Sequence, residues 1–236
     1  LEDDKLSETF NAWKKVIQDK GGISYRAVDA STPPTDLGDP KVTLKVAGPR
    51  LEKRELDSSP MIRWFDVADK TINGHSVVLR LSCGDVSFLL PGDLNIEGSE
   101  HIMRDNSLVS LMDAHVLKAP HHGSHEYCRS WLTAVNPLVS VISSGDEPDH
   151  GHPRASFVGA VGQASRSNEP LIFSTELART YESLGEVDMK KMRKELELSS
   201  KELEALDDTT LGKLRTLFKM RLPGMINVRT DVKQIY

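Results

Sequence analysis

Over residues 6–20, Leu6, Phe10, Trp13, Val16 and Ile17 recur at three-and-four spacing, which predicts an amphipathic helix that Gly21 and Gly22 end. An extended piece over 23–28 leads into a loop rich in Pro, Thr and Asp around 33–40. Val42, Leu44 and Val46 then alternate with polar residues, the period of a half-buried strand over 41–47, and Gly48-Pro49 closes it. The charged run 50–60 reads as a surface loop. Two β-rich runs, 76–81 and 86–90, flank the turn signal Cys83-Gly84-Asp85 and predict a hairpin. A helical stretch over 100–111 follows, then a buried strand over 114–118, a short helix over 131–135, and strands over 138–142 and 171–174. Strands alternating with helices, with polar residues gathered at strand ends, is the pattern of an α/β fold.

Beyond residue 184 the pattern changes. Residues 186–222 are charge-rich and helical: Ser199 and Glu202 have the spacing of a capping box, and Leu211, Leu214, Leu217 and Phe218 line one face. Pro223-Gly224 stops this stretch, and 225–236 alternates again like a strand. Three parts are expected: a main domain over 1–184, a helical insertion over 185–222, and a terminal strand of the main domain over 223–236. The insertion reads equally as a regulatory or partner-binding arm.

Composition narrows the class only moderately. Of 236 residues, 38% are hydrophobic and 28% charged, an ordinary globular balance. No apolar run is long enough to cross a bilayer, and the acidic start has no hydrophobic signal core. Cys83 and Cys128 lack CxxC spacing and read as free thiols of a reducing compartment, so a cytoplasmic protein with no membrane partner is expected. A net charge of −5 argues against a basic coat for nucleic acid, though not against a nuclease whose metals neutralise phosphate locally.

All eight histidines fall between His75 and His152, close to predicted strand ends and beside glycines. Five groups carry the chemistry: His75 in Asn-Gly-His-Ser, Asp93 in Pro-Gly-Asp, His121 and His122 in Pro-His-His-Gly-Ser, and His152 in Gly-His-Pro. Imidazole nitrogen and carboxylate oxygen are the usual ligands of zinc and manganese, and a carboxylate can bridge two ions. His101 and His115 have no motif around them and are expected on a helix surface and in a strand. His125 and His150 read as solvated neighbours of the motifs.

The runs NGHSVVLRL (73–81), FLLPGDL (88–94), HVLKAPHHGS (115–124), VISSG (141–145) and GHP (151–153), in this order, resemble the second half of the ComEC-type metallo-β-lactamase domain. The resemblance covers roughly residues 10 to 180, with 224–236 similar to the family's last strand. It implies an αββα sandwich, a site of one or two zinc or manganese ions, and phosphodiester hydrolysis with DNA as substrate. By that resemblance Asp93 matches the metal-bridging aspartate, His152 the last-motif ligand, and His121 a ligand or proton-handling residue. His122 is the alternative for the catalytic role, and His75 takes the approximate place of a third-motif ligand. Lys118, Ser124 and Arg154 lie beside the motifs and are expected to contact phosphate. The same scaffold also hosts small-molecule and RNA hydrolases, and a metal-free binding subunit acting through the insertion is a third reading.

The family's first-half motif, HxHxDH or HxDxDH, is absent from the chain. Asp93, His152, His75 and His121 would therefore form an open coordination shell. The apolar faces of 77–81, 88–90 and 139–142 would stand uncovered where the family packs a second sheet. With Leu1 in place of an initiating Met, this predicts a processed chain whose site and core are completed by the N-terminal half as a separate chain, with a protease as a further partner.

Overall fold

The computed structural model describes residues 8–20, 26–145 and 151–175, together with 228, 230, 233 and 235. It is a mixed α/β structure. In chain order the elements are α1 (Glu8–Asp19), β1 (Thr35–Asp36), β2 (Val42–Gly48), β3 (Glu52–Lys53), β4 (Pro60–Met61), α2 (Ala68–Gly74), β5 (Val78–Cys83), β6 (Val86–Leu90) and α3 (Ile96–Met103). Then come α4 (Asn106–Val109), β7 (Val116–Lys118), α5 (Arg129–Val135), β8 (Val139–Ile142), α6 (Ala155–Gln163) and β9 (Leu171–Ser174). The helices expected over 186–222 lie outside the described residues. So does the strand expected over 223–236, save for one antiparallel bridge between Thr230 and Ile235. Among the described residues no helix is long and apolar enough to cross a membrane.

Seven strands form one sheet in the order β1-β2-β5-β6-β7-β8-β9. The first half, through the β5–β6 hairpin, is antiparallel, and β6, β7, β8 and β9 run parallel. The hairpin closes through Gly84 and Asp85, with Gly84 at φ 57, a value glycine adopts without steric cost. Parallel neighbours need crossovers, and a strand order that advances steadily keeps crossovers of one hand on one side of the sheet. The core shows this arrangement. Val78, Leu89, Leu117 and Ile142 on one sheet face pack with Ile102 of α3, Trp131, Leu132 and Val135 of α5, and Phe157 and Val161 of α6.

The opposite face follows from the two-residue period. Register puts Leu44, Leu81, Phe88, Val116, Val139 and Leu171 in one row across six strands. Sequence reading expected the apolar residues of 77–81, 88–90 and 139–142 to share one uncovered face. The pleat divides them instead: Val78, Leu89 and Ile142 are covered by helices, while Val77, Leu90, Leu171 and Phe173 are exposed. Val116 and Val139, in the middle of that second face, are buried.

The helix expected over 100–111 is two helices. Asn95 caps α3 by accepting from the amide of Gly98 at 3.0 Å, and Asp105 caps α4 by accepting from Ser107 at 3.0 Å. A new cap signals a new start, and the chain turns at Arg104. The charged run 50–60 carries the small β3–β4 ribbon rather than an irregular loop.

Candidate active site

In an open sheet with parallel strands, loops at the carboxyl ends of those strands collect on one edge, where ligands characteristically bind. Here β6 ends in Pro91-Gly92-Asp93, β7 in Ala119-Pro120-His121-His122-Gly123, and β8 in Ser143-Ser144-Gly145, with Gly151-His152-Pro153 returning to the same edge. The topology thus explains why motifs up to sixty residues apart in sequence converge. Gly92 turns the backbone at φ 61, and the Asp93 amide donates to the Ser76 hydroxyl at 3.1 Å. The carbonyl of Gly92 accepts the His121 amide at 3.1 Å, which joins the aspartate turn to the histidine turn.

The histidine turn is strained. His121 (φ 43, ψ 47) and His122 (φ 54, ψ 21) are consecutive non-glycine residues in the left-handed region, followed by Gly123 at φ 79. Each such residue costs on the order of 1 kcal/mol or more and persists where side-chain placement compensates. Gly123 is required for space as well: a Cβ there would lie 2.8 Å from Cβ of Pro153, in the loop that carries His152.

The turn aims the two imidazoles differently. Nε2 of His122 lies 3.4 Å from Oδ1 of Asp93, and its Nδ1 is 2.6 Å from the carbonyl of Ser143. The ring of His121 stands edge-on to that of His152, centroids 5.7 Å apart, and Nδ1 of His121 faces Oε2 of Glu126 at 3.5 Å without hydrogen-bond geometry. The Lys118 ammonium donates to the Gly92 carbonyl at 3.1 Å and lies 4.0 Å from Oδ1 of Asp93; burial pulls its pKa below the ordinary lysine value, opposed by Asp93. Arg154 is exposed at the rim, its amide bonded to the carbonyl of Gly123 at 2.8 Å.

Asp93, His121, His122, His152, Lys118 and Arg154 therefore share one edge. Ser124 does too, but it is 3% exposed and its hydroxyl accepts the Glu126 amide at 3.2 Å, a turn-forming task that turns it away from any ligand. His75 is engaged elsewhere. Its Nε2 is 2.7 Å from the carbonyl of Arg63, and its ring stacks on Phe65 with centroids 5.0 Å apart. The neighbouring Ser76, rather than His75, reaches the site. Ser76, Ser143 and Glu126 are the participants that sequence reading missed. The first two act through a hydroxyl in a polar tripeptide and a main-chain oxygen, and Glu126 has no motif.

A carboxylate and three imidazoles are donors that suit a divalent cation, and Nδ1 of His121 is buried without a hydrogen-bond partner. Among the described residues, no three His, Cys, Asp or Glu groups converge on a point. The donors stand as two open pairs, Asp93 with His122 and His121 with His152.

His75 belongs to a second cluster with His101, which is 2% exposed rather than on a helix surface. Nε2 of His101 lies 3.1 Å from the Arg50 carbonyl and Nδ1 3.3 Å from the Arg50 guanidinium, with Glu52 at 3.7 Å. Burial first, and then the Arg50 charge, holds the His101 pKa below its ordinary value, with Glu52 opposing. The unfolded chain then takes up this proton near the ordinary value of about 6.5, before the folded chain does. Stability is complete above that pH and is lost as pH falls from it toward the folded value. The melting temperature should therefore drop as pH falls through and below about 6.5, and His101→Gln should flatten that drop. His115, lowered by burial and by Arg166, contributes in the same direction, so part of the slope remains. An unaltered slope in the variant would count against the assignment.

Two curated proteins are similar to this chain. It is 33% identical over 82 residues to ComE operon protein 3 of Bacillus subtilis (strain 168), a match covering 34% of this chain and 10% of that protein. It is 35% identical over 82 residues to Competence protein ComA of Neisseria gonorrhoeae, covering 34% of this chain and 12% of the relative. No protein-family model matches the chain, and no solved structure does. The chain therefore spans about a tenth of the length of these relatives and is related to competence proteins over that stretch.

Proposed function

We propose that this chain supplies one side of a metal-dependent phosphodiesterase site acting on DNA, on a metallo-β-lactamase-type scaffold. The observation that carries the reading is the meeting of the Gly-Asp, His-His-Gly and Gly-His-Pro loops at one sheet edge, with Asp93 3.4 Å from His122. A relative named as a competence protein supports DNA as the substrate class, competence being the uptake of DNA.

Asp93 on one side and the His121–His152 pair on the other would each contribute ligands to zinc or manganese, which would supply Lewis-acid charge and acidify water, with a partner supplying the groups that complete each shell. The remaining work falls to side chains. His122 is anchored by Nδ1 on Ser143 and presents Nε2 to the site, the geometry of a group that hands a proton to a leaving oxygen. Arg154, exposed beside the histidine turn, would take a phosphate oxygen. Because the donors form open pairs, the reading includes a partner: the N-terminal half of the same fold, as another segment or chain, covers the exposed sheet face at Val77, Leu90 and Phe173 and closes the site.

The test is cleavage of single-stranded and duplex DNA by the native assembly, with its metal content measured by mass spectrometry. Cleavage that EDTA stops and Mn²⁺ or Zn²⁺ restores is the expected result. DNA binding by a metal-free assembly that never cleaves would replace this reading with a binding subunit. Turnover confined to RNA or small esters would keep the scaffold and change the substrate.

A further inference from the structure

Lys118 brings a cation of the chain's own to the Asp93 carboxylate. It ends β7 on the sheet face opposite the helices, in register with Val141, and its side chain is 25% exposed. Its ammonium is 3.1 Å from the carbonyl of Gly92 and 4.0 Å from Oδ1 of Asp93. The same oxygen lies 3.4 Å from Nε2 of His122. A carboxylate oxygen flanked by an ammonium and an imidazole already has its counter-charge. A divalent ion must come within about 2.1 Å of that oxygen, and it would then face the ammonium across a short, partly water-excluded gap where like charges repel strongly.

We infer that Lys118 is a tethered counter-ion of Asp93 that competes with a divalent metal for this site, so that metal loads as the ammonium leaves Gly92 and Asp93. The inference rests on Asp93 as a metal-side residue and adds a control to that reading: a side chain of the same chain sets metal occupancy. The turn does not need Lys118 for its own hydrogen bonding, because the Gly92 carbonyl also accepts the His121 amide. Burying most of a lysine on an otherwise apolar face is costly unless its charge is matched. Asp93 is the carboxylate that matches it.

The experiment titrates Mn²⁺ into the native assembly that contains this chain and reads free ion by electron paramagnetic resonance. The proteins are wild type, Lys118→Met, Lys118→Gln, Lys118→Arg, and Lys118→Met combined with Asp93→Asn, each checked for folding by thermal melt. Met and Gln should each bind Mn²⁺ at least about tenfold more tightly than wild type, some 1.4 kcal/mol. Arg should show no gain, and Asp93→Asn should erase the gain. Two neutral variants are included so that misfolding of one does not decide the outcome. Binding that depends on Asp93 but is equally strong in wild type and Lys118→Met overturns the inference alone. A gain that survives Asp93→Asn, or no Mn²⁺ binding by any variant, overturns both the inference and the role given to Asp93.

Discussion

Asp93→Ala should abolish metal-dependent DNA cleavage by the assembled protein and leave its fold standing. The carboxylate is 44% exposed, and its ion-pair contacts among the described residues are Lys118 at 4.0 Å and His122 at 3.4 Å. Exposed pairs of this kind contribute at most about 1 kcal/mol to stability. The turn itself is fixed by groups the substitution keeps: the Asp93 amide on Ser76, the Gly92 carbonyl on His121, and Gly92 at φ 61. Chemistry is a different matter, because the carboxylate is the anionic donor that faces His122 among the described residues. Its loss should lower single-turnover cleavage by about a thousandfold or more, on the order of 4 kcal/mol of barrier. Cleavage at the wild-type rate would remove the central claim. A collapsed melting curve would instead give Asp93 a structural task.

The parts of the fold legible in the sequence are those where burial imposes a period or a bounded apolar run. β2 alternates Val42, Leu44 and Val46 with other residues, and the β5–β6 hairpin and β9 are apolar runs bounded by turn signals; all of their bounds match the expectation to within two residues. Three elements carried no such imprint. Of α2, only Thr71 and Gly74 are buried, so no apolar spacing marks it. The β3–β4 ribbon pairs Glu52 and Lys53 with Met61 and Pro60, and its two-residue strands are too short to show a period. In α6 the apolar face is interrupted by Gly159 and Gly162, and no side chain caps its start.

Site residues divide along a similar line. Asp93, His121, His122 and His152 were legible because each sits in a short motif at a strand end, and parallel strands bring such ends together. His75 also sits in a motif, yet it follows the last residue of α2, and the helix end directs its ring onto Phe65. The direction of a side chain after a helix end depends on helix packing, which the local motif does not encode. Lys118 shows the converse. Its place beside the His-His-Gly-Ser motif suggested a phosphate contact, and in the structure its ammonium meets Gly92 and Asp93.

The packing that directs residues 75 and 76 can be tested at one position. Gly98 of α3 lies against Gly74 of α2, and a Cβ at 98 would come within 2.2 Å of the Gly74 carbonyl oxygen and 2.7 Å of its Cα. Those atoms are main chain and cannot swing aside, and Phe65 already fills the space at Gly74, 2.7 Å from where a Cβ there would be. Gly98→Ala must therefore push the two helices apart, against the Asn95 side chain that ties Lys70 of α2 to the start of α3. Overpacking of this kind costs about 3 kcal/mol, and the gain of about 1 kcal/mol from replacing glycine in a helix does not offset it. The net of about 2 kcal/mol should lower the melting temperature by roughly 4–8 °C for a chain of this size. Gly159→Ala in α6 is the matched control: no atom lies within 4 Å of its new Cβ, so that variant should keep or raise the melting temperature. Displacement of α2 moves Ser76, so the amide resonance of Asp93 should also shift in Gly98→Ala and stay in place in Gly159→Ala. If Gly98→Ala melted above wild type, helix propensity would have prevailed, and the close glycine crossing that positions Ser76 beneath Asp93 would be refuted.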